Sequence, residues 1–167
     1  MEVYIGKIVN THGIKGEVRI VSDFKYKDLV FKPEFSIYVG KKRKKLTIAS
    51  YRIHKNYDMV TFNGINDIND VLCYKGDSVY INREDIKIDG YVNEDIIGLE
   101  VYSKERLIGN VTSIVNNGAH EIIVIDNKYM VPFIPQFIEN IDLENKKVSI
   151  NEIEGLIDEN WYINTIP

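Results

Sequence analysis

Gly6-Lys7-Ile8-Val9-Asn10-Thr11-His12-Gly13-Ile14-Lys15-Gly16-Glu17-Val18-Arg19 is the stretch whose reading decides the fold. It reads as a strand, a glycine-bounded loop and a second strand, with Val18 and Ile20 on one face of the second. Gly13 and Gly16 permit positive φ, so the loop can bend sharply and present backbone amides beside His12 and Lys15. Two uses stand for such a loop: an ordinary hairpin turn, or a seat against a phosphate backbone. It is not a nucleotide-binding P-loop, because the Gly-Lys-Ser/Thr ending and the following helix are both missing.

The same period of two continues outward. Met59-Val60-Thr61-Phe62 alternates, and Asn116-Asn117-Gly118 is a turn between the strand runs Leu107 to Val115 and Glu121 to Asp126. Many short strands with tight turns predict a mainly β protein built from barrels. One helix is expected in the first half, where Ile68, Val71 and Leu72 follow Asn66 or Asp67 as cap and Gly76 acts as stop, with Cys73 a small, partly buried side chain on it. A second short helix is expected after Pro135, with Phe137, Ile138 and Ile141 as its apolar side. Between Asn82 and Glu94 the alternation lapses into NREDIKIDGYVNE, which places the junction between two domains there. Residues 1–85 are therefore read as one domain, 86–94 as a linker and 95–167 as a second. Trp161 and Tyr162 lie in a final stretch without a clear pattern.

A chain of 167 residues, 44% of them hydrophobic, can fill one moderate core or two small ones. The first 20 residues interrupt their apolar side chains with Glu2, Lys7, His12, Lys15 and Glu17, so no signal-peptide core is read there. No run approaches the roughly 18 apolar residues of a membrane-spanning helix. Cys73 is the only cysteine, which excludes an internal disulfide and fits a reducing compartment, the cytoplasm by default. Charge divides unevenly at Asp85: 15 Lys and Arg against 11 Asp and Glu before it, 6 against 14 after it, or +4 and -8. A basic half suits phosphate and an acidic half suits a basic protein, although solubility alone would also account for the charges.

Two further segments carry candidate contacts. Lys41-Lys42-Arg43-Lys44-Lys45 reads as an exposed loop, either a solvated hairpin tip or a phosphate contact without base specificity. In Tyr129-Met130-Val131-Pro132-Phe133-Ile134-Pro135-Gln136-Phe137-Ile138 the prolines bracket apolar residues after a strand. An exposed Phe133 and Ile134 would form a protein-binding patch, or these residues close the second core. His12, His54 and His120 are scattered, show no metal-ligand spacing and adjoin no nucleophile elbow, so no catalytic residue, metal or cofactor is assigned.

Taken together these residues resemble the RimM family. His12-Gly13-Ile14-Lys15-Gly16-Glu17-Val18-Arg19 matches its first-domain signature without substitution, with Thr11 where a proline is common, and Asp70 to Gly76 occupies the place of its helical segment. Asp95-Ile96-Ile97-Gly98-Leu99-Glu100-Val101, Ile108-Gly109-Asn110-Val111, Val131-Pro132-Phe133-Ile134 and Asp142-Leu143-Glu144 look like the family's PRC-barrel domain. Departures are Tyr91 followed by Val92, where the family has paired aromatics, and Gly118-Ala119-His120-Glu121, where Asn-Asp often follows the alanine.

The resemblance implies two small β-barrels joined by a short linker, acting without covalent chemistry. The implied role is assistance to assembly of the immature 30S subunit, through ribosomal protein S nineteen in its head, and to processing of 16S ribosomal RNA. It makes Tyr91, Pro132, Phe133 and Ile134 the expected contacts to the ribosomal protein. His12, Lys15 and Arg19, with Lys42, Arg43 and Lys44, are the residues expected to face RNA. No cofactor and no membrane are expected, and the expected state is a monomer.

Overall fold

The computed structural model describes residues 1–151. It is mainly β and divides into two compact units, Met1–Asp89 and Gly90–Pro167. Residues 152–167, including Trp161 and Tyr162, lie outside the described part.

Six strands form the first unit: β1 (Glu2–His12), β2 (Glu17–Val21), β3 (Ser36–Val39), β4 (Lys44–His54), β5 (Tyr57–Phe62) and β6 (Ser78–Asn82). Their order is β1-β2-β5-β4-β3-β6, and β6 pairs back onto β1, so the barrel closes and leaves no sheet edge. Closure falls to β1 because it is long enough to serve two partners. Glu2 to Lys7 pair with β6, and Lys7 to His12 pair with β2. Register shifts between Tyr4 and Gly6 and between Ile8 and Asn10 bend the strand from one partner to the other. Gly6 sits at the changeover, where a Cβ would lie 2.7 Å from the Val21 carbonyl oxygen. Inside, Val3, Ile5, Ile8, Ile20, Ile48 and Phe62 are buried at 2% exposure or less.

Alternation places Val18 and Ile20 inward, as read from sequence. In β5 Asp58, Val60 and Phe62 share the inner face, and alternation of burial fails at Met59, which is buried on the opposite one. Asp58 is covered by α1 (Lys27–Val30): Lys27 Nζ stands 2.8 Å from one carboxylate oxygen and the Tyr51 hydroxyl donates to the other at 2.6 Å. A buried carboxylate persists only with such partners. Burial, then the Asp58 carboxylate, pushes the Tyr51 phenol up to about 12.

The helix expected around Val71 is instead two successive 3-10 turns, Ile68–Asp70 and Leu72–Tyr74. The cap is Asp67, whose side chain accepts the Asn69 N–H at 2.8 Å, and Gly76 ends the segment at φ 91. At three residues per turn Ile68 and Val71 share a line while Leu72 swings out. Val71 is accordingly fully buried and Leu72 is 49% exposed. Cys73, expected to be partly buried, is exposed for the same reason.

The second unit starts with α2 (Asn93–Ile96) and continues through β7 (Glu100–Ser103), β8 (Arg106–Asn116), β9 (Glu121–Ile125), β10 (Tyr129–Pro132), β11 (Ile138–Asp142) and β12 (Lys147–Ile150). The sheet order is β10-β9-β8-β7-β12-β11, with β12 parallel to β7 and every other pair antiparallel. Ile96, Val101, Ile123, Ile125, Val131 and Val148 are central to its core.

The second expected helix is strand β11, and the reason is local. Ile138 pairs with Ile150 and Asn140 with Ser149, so Glu139 is an extra residue, a bulge. That extra residue brings Ile138 and Ile141, three apart, against the same core, a spacing that imitates a helix.

Gly6→Ala is expected to destabilise the protein by about 1 to 3 kcal/mol, since the Cβ meets backbone that cannot turn aside. Denaturant unfolding of the first unit's transition, followed by its tyrosine signal, measures it. An unchanged midpoint would refute the close approach.

Candidate functional site

Two groups of side chains, one in each unit, are built from residues distant in sequence. In the second unit the anchor is Glu121, the first residue of β9. Its backbone carbonyl accepts the Phe133 N–H at 2.8 Å, and its side-chain Oε1 accepts Asn93 Nδ2 at 2.7 Å. One residue thus ties the start of α2 to the segment after β10. Residues 92–95 are fixed as well: the Val92 N–H donates to Asp95 Oδ2, and the Asp95 N–H donates to the Val92 carbonyl, both at 3.0 Å.

The outcome is that Tyr91 and Phe133, 42 positions apart, lie ring to ring with centroids 5.8 Å apart and planes tilted by 42°. Pro132 is buried at the end of β10. Ile134 is half-buried, its carbonyl accepting the N–H groups of Phe137 and Ile138 at 3.0 and 3.1 Å. Of the four residues expected to contact protein, Tyr91 and Phe133 therefore form the pair, and Pro132 and Ile134 flank Phe133 in the chain. Glu94 was not anticipated. One of its carboxyl oxygens is buried without a hydrogen-bond partner. Burial, reinforced by the charges of Asp95 and Glu121, raises its pKa above the ordinary carboxylate value. Aromatic faces beside acidic groups suit a cationic or amphipathic side chain of a partner.

In the first unit, the β1–β2 loop turns at Gly13 (φ 69) and Gly16 (φ 93), and a Cβ on Gly16 would stand 3.0 Å from Ile65. The turn sets His12 opposite Glu17. Register then carries one outer face across the sheet: Arg19 pairs with Met59, Met59 with Arg52, and Tyr57 with His54. Arg52 holds Glu17 with two hydrogen bonds, 2.7 and 3.0 Å. The Arg19 guanidinium carbon lies 4.5 Å from the centroid of the Tyr57 ring, and its Nε is buried without a hydrogen-bond partner. His12 and His54, expected to be scattered, are in ring contact at 5.2 Å. No local pattern announces that meeting, because β1 and β4 are 42 residues apart at these positions and are brought together through β2 and β5. Lys15, in the turn itself, is exposed.

The cationic run is only partly loop. Gly40 to Arg43 make the β3–β4 turn, while Lys44 and Lys45 open β4. Lys42 and Lys44 are exposed. Arg43 is committed to the barrel wall: its guanidinium donates to the Gly40 carbonyl at 2.6 Å, bonds the Glu2 carboxylate through two nitrogens, and lies 3.7 Å from the centroid of Tyr80.

Among the described residues no group of three or more His, Cys, Asp or Glu is placed to hold a metal ion. None of their helices is long and apolar enough to cross a membrane.

What the fold defines is a two-unit β protein that carries a cationic face on its first unit and, on its second, an aromatic pair packed against the core with acidic neighbours. Comparison with known proteins is specific. Residues 3–86 match the RimM N-terminal domain and residues 93–156 the RimM PRC barrel domain. A ribosome maturation factor RimM from Staphylococcus haemolyticus is 42% identical over 95% of this chain and 100% of its own length. One from Staphylococcus saprophyticus is 39% identical with the same coverage. The solution structure of the N-terminal domain of RimM from Thermus thermophilus is 20% identical, with a TM-score of 0.44, over 52% of this chain and 95% of that one. The chain belongs to the RimM family, and its second unit is a PRC-barrel domain.

The basic face makes one electrostatic prediction. Burial, then the charges of Arg52, His12, Lys55 and Arg19, hold the His54 pKa below its ordinary 6.5. The folded state thus favours neutral His54. Its contribution to stability is present above the ordinary value and is lost as pH falls through the lowered one. Arg52→Gln removes a cation and releases the Glu17 carboxylate, so the His54 titration followed by NMR should move upward. A downward or absent shift would contradict this arrangement of charges.

Proposed function

We propose that this protein is a non-enzymatic assembly factor that binds the immature 30S ribosomal subunit through ribosomal protein S nineteen in its head and promotes processing of 16S ribosomal RNA. The observation that carries the reading is the Tyr91–Phe133 pair on the acidic half of a RimM-family chain. Ribosomal proteins are basic as a class, and complementary charge speeds and orients such encounters. The pair supplies the apolar anchor, Glu94 and Glu121 supply negative charge at its margin, and Pro132 and Ile134 hold the Phe133 segment.

In this reading residues 1–85 form the domain that faces RNA, 86–94 a linker that contributes Tyr91, and 95–167 the protein-binding domain. Binding and release accomplish the work, without a nucleophile, metal or cofactor, by a monomer in the cytoplasm. The relatives' name, ribosome maturation factor, supports the same role.

If the ring of Tyr91 is an interface anchor, Tyr91→Ala weakens binding to ribosomal protein S nineteen by about 1 to 3 kcal/mol. Titration calorimetry with the folded variant measures the loss, and unchanged affinity would make Tyr91 a purely structural residue. On sucrose gradients the wild-type protein should travel with immature 30S particles in preference to mature 70S ribosomes. Equal association with both, or with neither, would overturn the assembly role.

A further inference from the structure

We propose that His12, Arg19, His54 and Lys55 form a seat for one phosphodiester group of RNA on the outer face of the first barrel, and that the seat binds more tightly when its imidazoles are protonated. The inference deepens the assembly-factor reading, which supplies the RNA, but it stands on geometry in the other unit from the Tyr91–Phe133 pair.

Four strands contribute to this face: His12 ends β1, Glu17 and Arg19 are on β2, Tyr57 is on β5, and Arg52 and His54 are on β4. Lys55 and Asn56 make the β4–β5 turn with φ of 50 and 66, which leaves Lys55 exposed beside His54. Glu17 is the carboxylate within reach of both imidazoles, and it is already bound by Arg52. Asp58, next in β5, is turned to Lys27 and Tyr51 on the other side of the strand. With Glu17 and Arg52 cancelling, Arg19 and Lys55 leave the face at +2 with neutral imidazoles and +4 with both protonated.

Three details favour an anion over a merely solvated patch. Arg19 lies over Tyr57, which fixes its plane, and its Nε is buried without a partner, so an incoming oxygen would meet the terminal nitrogens. A guanidinium held flat with unused N–H groups is suited to a phosphate oxygen. The contact between His12 and His54 sets two cations side by side once both are protonated, a repulsion that an anion between them relieves. Finally, the one nearby carboxylate is neutralised by a separate arginine, so it does not compete for Arg19.

This differs from what the cationic turn offers. Lys42 and Lys44 are permanent charges, and their attraction to RNA falls with salt but hardly changes near neutral pH. A site containing paired imidazoles adds proton uptake to binding, so its affinity rises as pH falls.

The test uses the full chain and a short, fluorescently labelled single-stranded RNA, with anisotropy titrations at constant salt. From about pH 8 to about pH 6 the wild-type affinity is expected to rise roughly ten-fold. His54→Gln should abolish most of that rise. Lys55→Gln, at an exposed turn where folding is not at stake, should weaken binding at both pH values, and Arg19→Gln should weaken it most. Histidine NMR on the same samples should show His12 and His54 shifting as RNA is added. A pH-independent affinity, or His54→Gln and Lys55→Gln variants that bind like wild type, would overturn the proposal. So would imidazole shifts produced by inorganic phosphate but not by RNA. Ribosomal-protein binding by the same variants should be unchanged. Its loss in Tyr91→Ala alone keeps the failure of either idea distinguishable from failure of the other.

Discussion

The backbone of β1 passes so close to Val21 at Gly6 that no side chain fits between them. That approach is the constraint on which the first unit depends, because it marks where β1 leaves β6 and takes up β2. A strand shared in this way turns six short strands into a closed surface with every ladder satisfied. Closure also determines what lies outside. Once Val18 and Ile20 point inward, Glu17 and Arg19 must point outward, and the register sets them in line with Met59, Arg52 and the two imidazoles. The cationic face is thus a by-product of the core that the same strands enclose.

Glu121 plays a comparable part in the second unit by different means. Its backbone extends the pairing of β9 to Phe133, and its carboxylate reaches Asn93. Neither bond is strong alone, since a net hydrogen bond contributes about 1 kcal/mol. Together they hold two irregular segments so that their aromatic rings meet. The same carboxylate adds to the negative field that raises the Glu94 pKa, so the residue that builds the aromatic pair also colours its surroundings.

Charge in this protein is better judged by commitment than by count. Lys41 to Lys45 is the most conspicuous cationic feature of the chain, yet Arg43 is spent on Glu2, Gly40 and Tyr80, where it braces the turn against β1 and β6. Arg52 is likewise bound to Glu17. Arg19, an unremarkable member of an alternating strand, has no carboxylate partner among the described residues and keeps a buried Nε without a hydrogen bond. Availability follows from which carboxylates strand pairing brings near, and that is a property of register.

Much of the fold was legible in the sequence. Alternation at Glu17 to Ile20 and the Asn116-Asn117-Gly118 turn are local signals, set by neighbours within a few residues. The His12 to Arg19 motif named the family, and the charge asymmetry is a matter of composition. The errors were those of spacing without partners: Ile138 and Ile141 imitate a helix because a bulge inserts Glu139, and the 3-10 turns that bury Val71 expose Leu72 and Cys73. Tyr91 and Phe133 were both identified as candidates from sequence, but not as a pair. What tertiary structure alone decided is contact across the chain: His12 against His54, Tyr91 against Phe133, Arg43 on Glu2 and Tyr80, and Arg19 over Tyr57. Local pattern fixes which way a side chain points along its own strand, whereas strand pairing across dozens of residues fixes what it meets.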